Sequence, residues 1–294
     1  MDRLLIVDGH AYAYRAFYAI RGLQSPTGRP TNAIYGFVKM LDKMRAAIAP
    51  THLIVVWDGG LSAARVAALP EYKAQRPEMP DDLRSQLDEM VAYLAAAGIA
   101  SFCREGIEAD DYIACLVRHA ANLGMAVVIA SADKDFMQLV SPGVGLLNPG
   151  DKSETVWAEA QVQAKTGVEP RQIVDWLSLT GDSVDNIPGV TGVGPKTAAN
   201  LLKQFGSIAA LYERLHEVKP DKLRAALQSS AEIVRRNRQL VRLQDELPCD
   251  FSPEMLVIRA QNADRLRELY GSWGFRGMLA ALDNAAGGRQ TVLI

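Results

Sequence analysis

Four short apolar runs in the first half of the chain each lead to a carboxylate, and helical patterns lie between them. Arg3-Leu4-Leu5-Ile6-Val7 runs into Asp8-Gly9, and His52-Leu53-Ile54-Val55-Val56-Trp57 runs into Asp58-Gly59-Gly60. A third run, residues 99–103, leads to Gly106-Ile107-Glu108-Ala109-Asp110-Asp111-Tyr112, and a fourth, residues 125–130, leads to Ser131-Ala132-Asp133-Lys134-Asp135. Runs without polar alternation, bounded by turn residues, are strands buried on both faces. Alternation with helices predicts an α/β fold with a mainly parallel sheet covered on both sides. Such sheets bind ligands outside the carboxyl ends of their strands. Each acid alone has an ordinary role: Asp8 in an Asp-Gly turn, Asp133 as a helix cap. Four strands delivering acids to one edge are harder to explain that way.

The rest of the pattern fills in the architecture. Helices are predicted over residues 11–20, 32–48 and 81–97 and after Asp111, with further strands near 145–148 and 154–157. Residues 61–80 read as an irregular stretch with a short Ala-rich helix. From Pro170 the pattern is helical, over 171–180, 198–204, 231–244 and 263–273, with a frayed tail from Asn284. This divides the chain at about 169/170.

The densest acidic stretch is the one around Glu108. At 100° per residue Glu108 and Asp111 share a helix face. Carboxylates about 4 Å apart repel by roughly 4 kcal/mol at an effective dielectric near 20. A helix N-terminus tolerates some negative charge, so an acidic, solvated helix start remains open for this stretch by itself. A cation would turn the repulsion into attraction. Together with Asp182 and Asp185 in the turn before Ile187, the candidate metal acids are Asp8, Asp58, Glu108, Asp110, Asp111, Asp133, Asp135, Asp182 and Asp185. Cys103, Cys115 and Cys249 are scattered, form no CxxC, suit a reducing cytoplasm and argue against zinc. An all-oxygen set selects Mg²⁺, with Mn²⁺ as substitute, and nine acids suit two ions rather than one.

Net charge is −2, but it is unevenly spread. Residues 1–182 carry 17 Lys+Arg against 22 Asp+Glu, and residues 183–294 carry 15 against 12. With the nine acids assigned to metal, the remainder is basic, as an enzyme acting on a polyanion requires. The longest apolar run, residues 90–100, is too short to span a bilayer. The N-terminus lacks the serial regions of a signal peptide, so a cytoplasmic protein without membrane partners is expected.

Gly189 to Thr197 comes near to two nucleotide-binding loops and fits neither. Pro195 separates Gly194 from Lys196, and a helix and turn, not a strand, precede it. The stretch reads either as a helical hairpin whose glycines expose N–H groups to a phosphate or as an ordinary interhelical turn. Tyr72, Lys73 and Arg76 could supply an aromatic ring and cations over a reacting phosphate, or be a solvated loop. His10 reads as a capping or packing residue rather than a ligand.

These residues resemble the 5′-nuclease family, which includes the 5′→3′ exonuclease domain of bacterial DNA polymerase I and the flap endonucleases. The resemblance runs from Leu4 to about Phe275. Besides the acid motifs it rests on Tyr14-Arg15-Ala16, residues 30–36, Tyr72-Lys73 with Arg76-Pro77, and the stretch from Gly181 to Ala198. It implies a PIN-like core at 1–169, a helical arch at about 61–80, and a helical region at 170–294. Within that region it implies a helix–three-turn–helix at about 185–204 that grips duplex DNA with a K⁺. The nine acids fall where the family's metal acids fall. Lys73, Arg15, Arg76 and Tyr72 would act at the transition state. Arg65, Gly189, Gly192, Gly194, Lys196 and Thr197 would contact DNA. Arg65 is the one cation left after Asp58, where relatives of the polymerase type have a lysine-bearing stretch. The implied protein is a monomeric 5′→3′ exonuclease and 5′-flap endonuclease. It would act on DNA with a free 5′ end or on RNA-primed DNA, in replication and repair. The alternatives are a PIN-type ribonuclease and a non-catalytic binder of DNA structures.

Overall fold

The structure, a computed structural model, describes residues 2–148, 155–249 and 251–287. The elements in order are β1 (Arg3–Asp8), α1 (Gly9–Ala19), α2 (Asn32–Ile48), β2 (His52–Val56), α3 (Ala63–Ala68), α4 (Asp81–Ala96), β3 (Ala100–Phe102), α5 (Ala109–Asn122), β4 (Ala126–Ala130), β5 (Val144–Leu147) and β6 (Val156–Trp157). There follow α6 (Glu159–Thr166), α7 (Ile173–Thr180), β7 (Gly181–Asp182), β8 (Ile187–Pro188), α8 (Pro195–Phe205), α9 (Ile208–Glu213), α10 (Asp221–Ser229), α11 (Ala231–Val241), α12 (Pro253–Leu256), α13 (Ala263–Trp273) and α14 (Arg276–Gly287). The fold is mixed α/β with a mostly parallel sheet and a helical C-terminal part. No helix among the described residues is long and apolar enough to cross a membrane.

Two compact units emerge, and they cut across the boundary expected at 169/170. One holds Met1–Trp57, Glu78–Phe102 and Phe251–Ile294; the other holds Asp58–Pro77 and Cys103–Asp250. The reason is the chain's return. Val257 bridges to His52, Arg259 N–H donates to Gly98 O at 2.9 Å, and Asn262 N–H donates to Ala96 O at 2.7 Å. The buried Trp273 of α13 then donates its indole N–H to Glu89 of α4 at 3.2 Å. Helix α14 continues past Asn284, where a frayed tail was expected, to Gly287; residues 288–294 lie outside the described residues.

In the first unit the parallel strands lie in the order β3-β2-β1, with Leu4 opposite His52 and Asp8 opposite Val56. Apart from exposed Arg3, the residues of β1 are buried. No turn follows Asp8: the strand passes directly into α1, and Asp8 caps the helix by accepting Ala11 N–H at 3.1 Å. Gly9 is there for packing. A Cβ on it would lie 2.5 Å from the Trp57 ring, which also stacks on Phe37 and meets His10 edge-on. Helix α2 has no side-chain cap of its own. Buried Gln86 of α4 accepts Ala33 and Ile34 N–H at 2.9 and 3.1 Å and so completes its first turn.

In the second unit β4 and β5 are parallel and β6 is antiparallel. Residue 154, where the expected sixth strand begins, lies outside the described residues together with 149–153. Helix α5 buries Ile113, Leu116, Val117 and Ala120, the apolar face read from its periodicity. Helix α11 packs on α7, and the fully buried Asn237 donates to Ser178 O at 3.1 Å and Pro188 O at 2.6 Å. The region after Pro170 is not wholly helical: β7 and β8 pair antiparallel and set the turn that carries Asp182 and Asp185. Close backbone contact forces this pair. Gly181 adopts φ +70°, and a Cβ on Gly189 would lie 2.2 Å from Thr180 O.

Candidate active site

The second unit gathers most of the acids. Asp133 follows β4 and caps the short 3-10 turn Lys134–Leu139 by accepting Asp135 N–H at 2.8 Å. This cap turns Asp135 inward. Carboxylate oxygens of Asp135, Asp182 and Asp185 lie within 4.8 Å of one another. Burial pushes the Asp135 carboxyl well above the usual range, and Asp133, Asp110, Asp182 and Asp185 push the same way. Burial also raises Asp133, against the pull of its hydrogen bond from Asp135 N–H. The Oδ1 of Asp135 is buried and has no hydrogen-bond partner among the described residues.

Residues 71–76 close on this group from the side. Lys73 Nζ is buried, 2.5 Å from Glu108 Oε2, 3.8 Å from Asp110 and 3.9 Å from Asp185. Burial opposes its charge, but Asp110 and Asp185, with Glu108, hold its pKa above the ordinary value. Tyr72 OH donates to Glu108 Oε2 at 3.1 Å, and Arg76 pairs with Asp185 at 2.6 Å. The stretch is therefore no solvated loop. Lys73 sits in the left-handed region at φ +55°, its N–H on Asp185 O at 3.0 Å, and Asn186 donates to Glu71 O at 2.9 Å. Such strain persists only where the surroundings fix it from several sides.

Lys134 is a member that the sequence reading missed. Its Nζ lies 3.1 Å from Asp182 Oδ1. Its place between Asp133 and Asp135 was the available signal. Among the described residues, six carboxylates (Glu108, Asp110, Asp133, Asp135, Asp182 and Asp185) thus face Lys73, Arg76 and Lys134, and Glu108 also meets Arg65, whose charge is shared with Asp111. A hard divalent cation fits this all-oxygen set, its surplus of negative charge and the unpartnered Asp135 oxygen.

Three expected site residues of this unit are engaged elsewhere, and two lie in the first unit. Asp111 gives both oxygens to Arg65 at 2.7 Å each and accepts Gln244 N–H at 2.9 Å, so it anchors Arg65 instead of facing the cluster. Arg65, expected to contact DNA, is buried. Besides Asp111 it donates to Leu240 O at 2.9 Å and Arg242 O at 3.1 Å and forms an ion pair with Glu108 at 3.3 Å, so four of its five N–H groups are hydrogen-bonded. Asp58 accepts Gly60 N–H at 2.8 Å in a tight turn. Asp8 belongs to the first unit as the cap of α1, and Arg15 is exposed on that helix. Arg65→Met should leave two acids short of a partner, costing about 3–5 kcal/mol by urea denaturation, with duplex affinity unchanged. Reduced DNA affinity with intact stability would restore Arg65 as a DNA contact.

The hairpin separates into two roles. Gly189 is spoken for by the Thr180 contact described above. At Gly192 (φ +80°) and Gly194 nothing lies within 4 Å of a built Cβ, so both present bare backbone. Gly194 is the N-cap position of α8, Lys196 is exposed and Thr197 half-buried in its first turn.

Comparison with known proteins places this geometry. Residues 3–167 match the family described as 5′-3′ exonuclease, N-terminal resolvase-like domain, and residues 168–264 match 5′-3′ exonuclease, C-terminal SAM fold. A 5′-3′ exonuclease of Aquifex aeolicus is 38% identical over 283 residues, 96% of each chain. DNA polymerase I of Bacillus caldotenax is 34% identical over 284 residues, where the match takes 96% of this chain and 32% of the relative; the chain spans about a third of that longer protein. Among solved structures, a bacteriophage T5 flap endonuclease in a pseudo-enzyme-product complex with DNA and metal ions superposes with a TM-score of 0.68 at 26% identity, covering 82% of this chain and 89% of that one. The chain belongs to the 5′-3′ exonuclease family.

Proposed function

We propose that the chain is a monomeric, Mg²⁺-dependent, structure-specific 5′ nuclease. It hydrolyses DNA bearing a free 5′ end or a 5′ flap, removes RNA primers, and leaves 5′-phosphorylated products. The observation that carries this reading is the buried, unpartnered Asp135 oxygen beside Asp182 and Asp185. Asp133, Asp135, Asp182 and Asp185, with Glu108 and Asp110, would hold the divalent ions. Bound there, such ions neutralise phosphate charge and make water acidic enough to attack near neutral pH. Lys73 keeps Glu108, Asp110 and Asp185 from driving one another apart and presents a buried cation to the phosphate that draws near them. Arg76, half-exposed on Asp185, is placed to turn toward the same phosphate.

Duplex would be held by the hairpin. Gly192 and Gly194 let a phosphate approach the N–H groups at the start of α8, and Lys196 adds a charge. Lys196→Ala should weaken binding to all duplex sequences alike and lower the slope of log K against log salt by about one unit. Cleavage of saturated DNA should change little. Titrations at several salt concentrations check this, and an unchanged slope would make the hairpin a plain structural turn. A side-by-side assay of a DNA flap and an RNA hairpin of equal sequence tests the whole reading: the flap should be cut far faster, and preference for the RNA hairpin would point to a ribonuclease.

A further inference from the structure

The sequence scatters its cysteines, but the fold does not. Cys115 and His119 lie four residues apart on α5, hence on one face of the helix. Along that face runs the segment after α11. Gln244 N–H donates to Asp111, the Cys115 thiol donates to Leu247 O at 3.4 Å, and Cys249 follows. Ligand atoms of Cys115, His119 and Cys249 all lie within 4.8 Å of one another. A tetrahedral zinc ion bound at about 2.3 Å to sulfur and 2.0–2.1 Å to nitrogen needs donors roughly 3.5–4 Å apart. Closing the gap takes a shift of about 1 Å, within reach of side-chain rotation at the half-buried His119 and Cys249.

We propose that Cys115, His119 and Cys249 form a second metal site, of the zinc class, with water in the fourth position. Its thiolate and imidazole donors exclude Mg²⁺, so it selects a different ion from the carboxylate cluster. It is independent of the nuclease reading. Its physical effect is to staple residues 242–249 to α5, whose first turn carries Asp110 and Asp111.

The test uses the full, reduced chain with excess Mg²⁺ on the carboxylates and Co²⁺ as the probe. One equivalent of Co²⁺ should produce the thiolate-to-cobalt charge-transfer absorption of a four-coordinate site, and Zn²⁺ should displace it. Cys249→Ser and His119→Gln should each weaken binding at least tenfold, and Asp182→Asn should leave the absorption unchanged. A second measurement needs no variant: Zn²⁺ should slow alkylation of Cys249 at least tenfold and leave exposed Cys103 unaffected. No charge-transfer band in the reduced wild type, an undiminished band in Cys249→Ser, or unchanged alkylation of Cys249 would each overturn the site.

Discussion

Asp135→Asn should abolish Mg²⁺-dependent cleavage and, at neutral pH, make the metal-free protein more stable. The two effects have one cause. Asp135 is buried among Asp133, Asp110, Asp182 and Asp185, and its carboxyl is raised well above the ordinary range. The folded protein therefore holds this proton more tightly than the unfolded chain does. Stability is full below the unfolded pKa and declines as pH rises through the folded one. Asparagine keeps the shape and removes the charge, so the variant should escape that decline. Its advantage should vanish in acid and also when wild type is saturated with Mg²⁺, since an ion bound at 100 times its Kd contributes about 2.7 kcal/mol. Loss of a ligand should lower the saturated rate on the order of 10³-fold, or about 4 kcal/mol of barrier. Thermal melts with and without Mg²⁺ at several pH values, beside single-turnover rates, check all of this. A variant less stable than metal-free wild type at neutral pH would mean that Asp135 has a partner holding it.

Lys73→Ala should lose both stability and rate. Lys73 Nζ sits on Glu108 in fully buried surroundings, and removing one partner of a buried pair costs about 3–5 kcal/mol. Arg65, Tyr72 and the Ser62 N–H also serve Glu108, so the lower end is expected. Burial would raise the Glu108 carboxyl; Lys73 and then Arg65 hold it below the ordinary range. Without Lys73 that carboxyl should titrate higher, so the stability loss should shrink toward acid pH. The single-turnover rate at saturating Mg²⁺ should fall on the order of 10²-fold, or about 2.7 kcal/mol, with duplex affinity within about threefold. A rate within threefold of wild type, after allowing for unfolded protein, would confine Lys73 to holding the acids together.

What the sequence made legible, and what it did not, follows from distance along the chain. Strands β1, β2 and β4 were readable because unbroken apolar runs admit few alternatives, and α2 and α13 were found at their observed limits. Asp133 and Asp135 were readable as a pair because one caps the turn that aims the other. The error at Asp8 was local: Asp-Gly serves a turn and a helix cap equally, and only Trp57 packed over Gly9 decides between them. The larger misreadings involve partners far away in the chain. Nothing near Arg65 announces Asp111, Leu240 or Arg242, so a buried anchor looked like a surface cation. Cys115 and Cys249 meet only because the segment after α11 lies along α5. The compact units depart from the boundary expected at 169/170, close to which the two family matches meet at 167/168, because the return of residues 251–287 onto β2 and α4 relies on backbone hydrogen bonds, which leave no pattern in side-chain type.

The central claim is that the carboxylate cluster of the second unit serves a 5′ nuclease. Its most direct test is a DNA duplex with a 5′ flap, labelled at either end and incubated with the chain in Mg²⁺ or in EDTA. The account predicts cleavage at the flap junction in Mg²⁺ alone, with a 5′-phosphate on the shortened duplex strand and a 3′-hydroxyl on the released flap. Cleavage that persists in EDTA, products with a 3′-phosphate, or tight flap binding without any cleavage in Mg²⁺ would contradict it.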